Sequence, residues 1–142
     1  MSGYLLDVNV VIALIDPLHV HHDRAHAWFG SRERGTWHTC PIVQNGVVRV
    51  VSHPKYANRQ PAPVVVASLA SLAAHDGHEF VADTVSLLDS SVYTERLLSS
   101  AQVTDTYLLH LAASHDVQLA TFDTRIVTAT VPSGTKAVFL IP

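Results

Sequence analysis

Two periodicities divide this chain. Apolar runs of strand length fall at about residues 3–6, 78–82, 117–122 and 136–141, and helical patterns lie between them. The strand-like Tyr4-Leu5-Leu6 is followed almost at once by Val10-Val11-Ile12-Ala13-Leu14-Ile15, which reads as helix. Asp23 to Phe29 forms a second helical stretch with Ala25, Trp28 and Phe29 on one face. Val43 to Val51 forms a third, begun by Pro41 near its first turn and ended by Pro54 with help from Ser52 and His53. Pro61-Ala62-Pro63 opens a fourth, running through Val66, Leu69, Ala70 and Ala73 to a stop near Gly77. Thr104 is placed to cap a fifth that ends near His115.

Strands alternating with helices predict an α/β domain with a mostly parallel central sheet. Ligands of such sheets gather outside the carboxyl ends of the strands. Three acids occupy junctions suited to that edge. Asp7 closes the first strand-like run, Asp123 closes Gln118-Leu119-Ala120-Thr121-Phe122, and Asp105 sits at the start of the fifth helix. Brought together, they form a carboxylate cluster for a hard divalent cation, which takes oxygen ligands. Such an ion polarises a phosphate and activates water. The ordinary alternatives are a helix cap for Asp7, a dipole partner for Asp105 and a turn residue for Asp123. Asn9 is expected to cap the first helix, with orientation of Asp7 as the alternative. Asp116, Asp83 and Asp89 read as solvated turn or loop residues.

Charge sharpens this picture. The net charge is -3 over 142 residues, a length that suits one domain spanning 1–142. Residues 24–59 carry Arg24, Arg32, Arg34, Arg49, Lys55 and Arg59 against Glu33 alone, or 6 - 1 = +5, leaving 3 - 11 = -8 elsewhere. A basic segment beside an acidic metal site suits phosphate; Arg49 and Lys55 are the candidate phosphate contacts, with a plain solvated surface as the alternative. The one cysteine, Cys40, excludes an internal disulfide and is expected to be a buried small hydrophobe. The start lacks a basic segment before its apolar run, and apolar runs stop short of membrane-spanning length, so a soluble cytoplasmic protein is expected, with no membrane partner. His22 and His26, spaced i,i+4, admit a zinc site, but no third ligand or catalytic glutamate accompanies them. Trp28 and Trp37 read as core or dimer-interface anchors. A haloacid-dehalogenase-like phosphatase needs a second aspartate where Asn9 stands. Serine-hydrolase and P-loop signatures are absent from the sequence.

Leu6-Asp7-Val8-Asn9-Val10, Cys40-Pro41-Ile42-Val43-Gln44-Asn45-Gly46, Arg49-Val50, Thr104-Asp105-Thr106-Tyr107-Leu108 and Ala120-Thr121-Phe122-Asp123 together resemble a PIN-domain ribonuclease. The small size is similar to the VapC toxin branch of bacterial toxin–antitoxin systems. The resemblance implies a PIN-like three-layer α/β/α fold with about five strands. It implies a Mg2+-dependent endoribonuclease, with Mn2+ as the alternative ion, acting on structured RNA such as tRNA or rRNA. It also implies a homodimer neutralised by a small VapB-type antitoxin that covers the active site. Asp7, Asp105 and Asp123 match the family's metal-binding acids. Where most relatives carry a glutamate in the helix after the Pro41-like turn, this chain has Asn45, an amide oxygen without charge. Asn45 is therefore expected to orient a water or phosphate, with one ion held by three carboxylates. A PIN domain that binds RNA or protein without cutting is the competing expectation.

Overall fold

The computed structural model describes residues 3–31 and 35–142, so Arg32, Glu33 and Arg34 of the basic segment lie outside the described residues. Five strands form one sheet: β1 (Gly3–Leu6), β2 (Thr36–Thr39), β3 (His78–Phe80), β4 (Gln118–Thr121) and β5 (Val138–Leu140). Their order is β3-β2-β1-β4-β5 and every pair is parallel. The five main helices are α1 (Val8–Ile15), α2 (His22–Phe29), α3 (Pro41–Val51), α4 (Ala62–Ala73) and α5 (Gln102–Ser114). Parallel neighbours require crossovers, and the usual right-handed sense puts α1 to α4 on one face and α5 on the other. Side chains agree. Tyr4 meets Trp28 of α2 at 5.2 Å between ring centroids, and Phe29 meets Trp37 at 4.9 Å, all on the α1–α4 face. This is the PIN-like α/β/α layering that the resemblance implied.

Four strand-like runs were legible in sequence order, but β2 was not among them. Its residues, Thr36-Trp37-His38-Thr39, read as polar, yet three of the four are buried because the strand is paired on both sides. The fifth helix starts earlier than Thr104. Gln102 opens it, and its side-chain oxygen accepts the Leu98 and Ser99 amides at 2.6 and 2.9 Å. This buried glutamine ties the preceding segment to the helix start, while Ala101 at the N-cap position makes no side-chain cap bond. Asn9 does not cap α1 either. Asp7 holds the N-cap position and accepts the Val8 amide at 2.7 Å, while Asn9 is exposed in the first turn. In α4, Val65 and Leu72 are buried and Val66 points out, so the core stripe is rotated by about one residue from the expected one.

Trp28 and Trp37 both sit in the core. Cys40 is fully buried, and burial pushes its thiol up to about 11, as a small hydrophobe rather than a nucleophile. His22 and His26 bond the carbonyls of Ala13 and Leu14 at 2.7 and 2.8 Å. They tie α2 to α1, which accounts for their spacing without zinc. Asp116 occupies a turn with φ 54°, and Asp89 pairs with His110 at 2.9 Å.

Asp16, at the far end of α1, is a second structural acid. It accepts the Leu18 amide at 2.9 Å and the Asn58 amide group at 2.7 Å, and the Tyr56 hydroxyl donates to its other oxygen. Burial opposes its ionisation, but these donors outweigh burial and hold the carboxyl below its ordinary range. Asp16→Ala removes an acceptor shared by three donors and is expected to cost about 2–3 kcal/mol in urea unfolding, with the acidic edge at the other end of α1 untouched.

Candidate metal and RNA-cleavage site

Strand parity decides which residues share the functional face. Leu5 lies opposite Leu119 in the β1–β4 register, so Asp7, Thr121 and Asp123 all follow on the same side by steps of two. That side is the one α5 covers, and Asp105 lies in the first turn of α5. Four positions from three elements therefore meet where β1 and β4 end.

Asp7 is buried, at 8 % exposure. Its amide donates to Ala120 at 3.0 Å, which continues the β1–β4 ladder one residue past the strand. One carboxylate oxygen accepts the Val8 amide and the other accepts the Thr121 hydroxyl at 2.8 Å. The Thr121 oxygen in turn accepts the Asp123 amide at 3.1 Å, so one hydroxyl orients two acids. Asp123 accepts the Arg125 amide at 2.8 Å, and the Arg125 guanidinium lies 3.7 Å from the same oxygen. Thr121 was missed as a site residue in the sequence. Its position two before Asp123 in a strand was the available signal.

Electrostatics show how close these acids stand. Burial raises the Asp7 pKa, which its two hydrogen bonds only partly offset, and Asp123 raises it further. Asp105 rises from its ordinary 3.8 to about 6, through burial first and then repulsion from Asp7 and Asp123. Asp7 and Asp105, both raised in proton affinity with Asp123 adding to each, form with it a donor set short of positive charge. A hard divalent cation supplies that charge, so the residues fit magnesium or manganese. Among the described residues no three His, Cys, Asp or Glu side chains are grouped so that they could hold a metal ion by themselves. Magnesium does not need such a group, since a carboxylate or two, waters and substrate phosphate complete its shell.

The remaining candidates are placed differently. Asn45 is exposed on α3, and among the described residues no hydrogen bond joins it to the carboxylates. Its neighbour Gly46 packs against Val8, where an added Cβ would sit 3.0 Å from a Val8 methyl, so this part of α3 does lie beside the first turn of α1. Arg49 is exposed in the last turn of α3, roughly 12 Å along the helix from Pro41. Lys55 belongs to the loop whose Tyr56 and Asn58 clasp Asp16, at the opposite end of α1 from Asp7. The fold does not gather Lys55 with the acids. Two other arginines are gathered. A cleft of about 670 Å3 opens from Asp105 and Asp123, and Arg96 and Arg125 are in its walls with Glu95 and Leu98. That volume is in the range of ligand-sized sites.

Asp105 carries a pH signature. Its folded pKa is above the unfolded value, so its contribution favours the fold below about pH 4 and is lost as pH rises through about 6. Asp105→Asn is expected to raise metal-free stability at pH 7 by on the order of 1 kcal/mol after allowance for solvent screening, and to flatten the pH 4–7 part of the melting profile. Thermal melts in a chelator across that range check this; an unchanged profile contradicts the crowding.

Comparison with known proteins places these features in a family. The PIN domain model matches residues 4–130. The chain is 51% identical over 138 residues to Ribonuclease VapC44 of Mycobacterium tuberculosis, covering 93% of this chain and 94% of that one. It is 41% identical over 128 residues to Ribonuclease VapC38 of the same organism, covering 87% of each. Among solved structures it is similar to Mycobacterium tuberculosis VapC20, described as a sarcin–ricin loop cleaving toxin, with a TM-score of 0.64 and 13% identity over 92% of this chain and 97% of that one. At that identity the likeness concerns the fold.

Proposed function

The chain belongs to the PIN-domain family, and we propose that it is a divalent-metal-dependent endoribonuclease toxin of the VapC type. The observation that carries the reading is that Asp7, Asp105 and Asp123 share one half-buried sheet edge, where Asp123 raises the proton affinity of Asp7 and both raise that of Asp105, beside a cleft that carries arginines. The names of the relatives at 51% and 41% identity support the ribonuclease part. The reading takes 1–142 as one PIN domain acting in the cytoplasm on structured RNA, tRNA or rRNA. It includes a homodimer and a small VapB-type antitoxin as partners. No helix among the described residues is long and apolar enough to cross a membrane.

Asp7, Asp105 and Asp123 would hold Mg2+, or Mn2+ in its place. A divalent ion bound there polarises the scissile phosphate and lowers the pKa of a bound water. The chain's own residues prepare that chemistry. The Val8 amide and Thr121 hydroxyl fix the Asp7 carboxylate from two sides and leave its remaining lone pairs free. Thr121 also fixes the backbone at Asp123, so the two acids move as a unit. Asp105 must lose its proton before it ligates, which couples ion binding to pH near 6. Asn45 is assigned a supporting role, orienting water or phosphate without adding charge.

Cleavage of bacterial total RNA should require Mg2+ or Mn2+, stop in a chelator, and fall on the order of 100-fold or more in Asp7→Asn. RNA binding without cleavage under both metals would instead establish the non-catalytic PIN domain that Asn45 motivates. Thr121→Val keeps the shape but removes the shared hydroxyl. It should weaken activation by Mg2+ on the order of 10-fold, measured as a higher metal concentration at half-maximal rate.

A further inference from the structure

We propose that Arg96 is a substrate-contacting residue, holding an RNA phosphate in the cleft beside the carboxylates; the inference rests on the ribonuclease reading. Nothing in its sequence neighbourhood marks it. It belongs to a short 3-10 helix, Thr94–Arg96, outside the basic segment at 24–59. Residues 60–142 hold three basic side chains, Arg96, Arg125 and Lys136, against eight acidic ones. Two of those three are in the walls of the one cleft that also contains Asp105 and Asp123.

The local structure presets Arg96. One Nη donates to the Ala129 carbonyl at 2.9 Å, and the guanidinium carbon lies 4.6 Å from the Tyr93 ring centroid. The buried Gln102 holds the same segment from beneath, since its amide donates to the Arg96 carbonyl at 3.1 Å. A guanidinium has five N–H donors in a planar fork, and the Ala129 bond uses one. Glu95, Asp105 and Asp123 line the same cleft, yet among the described residues none forms an ion pair with Arg96. Its charge is therefore fixed in place and uncommitted. Phosphate is the anion that matches a planar fork with spare donors, and an RNA whose scissile phosphate lies at the carboxylates places neighbouring phosphates along the cleft. Arg125 differs: its side chain is 91 % exposed and already paired with Asp123, whereas Arg96 is held by Ala129 and Tyr93.

Arg96 also bridges the two cleft walls, 93–102 and 123–130, so a brace is the competing account. The two accounts part in kinetics. Losing a phosphate contact made equally in ground and transition states raises KM and spares kcat. The test uses full-length Arg96→Ala, Arg96→Lys and, as a control, Lys136→Ala. The substrate is an end-labelled RNA hairpin taken from a site that the wild-type protein cuts in total RNA. Binding of the same hairpin in a chelator is followed by fluorescence anisotropy across a potassium chloride series. Arg96→Ala should raise KM about tenfold with kcat little changed, and should lower the slope of log affinity against log salt by about 0.7–0.9. Arg96→Lys keeps the charge and should restore the salt slope while recovering part of KM. Unchanged KM and slope in Arg96→Ala overturn the inference. So does equal damage in both variants with a lowered melting temperature, which establishes the brace. If the wild-type protein cuts no RNA, the ribonuclease reading fails first; wild-type cleavage with an indifferent Arg96→Ala removes this inference alone.

Discussion

Crowded carboxylates at the end of a parallel sheet are the constraint on which the rest turns. Asp7 is buried and Asp105 half-buried; Asp123 raises the proton affinity of Asp7, and Asp7 and Asp123 together raise that of Asp105. A fold that only had to be stable would not keep them there, since removing the Asp123 charge relieves both Asp7 and Asp105. Their persistence has a physical account once a cation is part of the working state. The cost is tolerable because it is confined to one edge, where water reaches Asp105 and Asp123.

The scaffold makes that confinement possible. A parallel sheet sends every strand end to the same edge, so β1 and β4 deliver their following residues side by side although more than a hundred positions separate them in the chain. The Asp7 amide extends the ladder to Ala120 and the Thr121 hydroxyl extends it in side chains. Helix α5 then lays Asp105 across the same face, its start set by Gln102. The two cleft walls are joined by Tyr93 to Thr130 at 2.9 Å and by the buried Thr106–Thr130 hydroxyl pair at 2.8 Å. At Gly134 an added Cβ would lie 2.1 Å from the Thr128 carbonyl oxygen, so glycine lets the turn beyond the wall close tightly.

Much of this was legible in the chain because it depends on local pattern. Alternating strand and helix periods carry the class, and an acid just past a strand end carries the site. What stayed hidden depends on pairing or on direction. Strand β2 is flanked on both sides, so burial comes from its neighbours and not from its own polar residues, His38 and Thr39. Lys55 looked suitable because basic residues cluster near it in sequence, but α1 and α3 carry that end of the chain away from the edge where Asp7 lies. Arg96 sits in an irregular segment with no periodicity to read, and only the folded walls bring it beside Asp105. Thr121 looked like one more strand residue until its hydroxyl was seen between two acids.

Asp7 and Asp16 sharpen the distinction between acids that build and acids that act. They cap opposite ends of α1 and are similarly buried, at 8 % and 5 % exposure. Asp16 is met by three donors, and its carboxyl falls below the ordinary range. Asp7 is met by two donors and by further acids, and its carboxyl rises. Burial raises both carboxyls, but at Asp7 it outweighs the donors, whereas at Asp16 the donors outweigh it. The difference is whether the surroundings finish compensating the charge. At Asp16 the protein supplies the donors itself, and nothing remains for a ligand to do. At Asp7 compensation is left incomplete in a position that water, an ion and a phosphate can reach through Asp105 and Asp123. An unfinished electrostatic environment, and not the carboxylate alone, is what marks the working end of this helix.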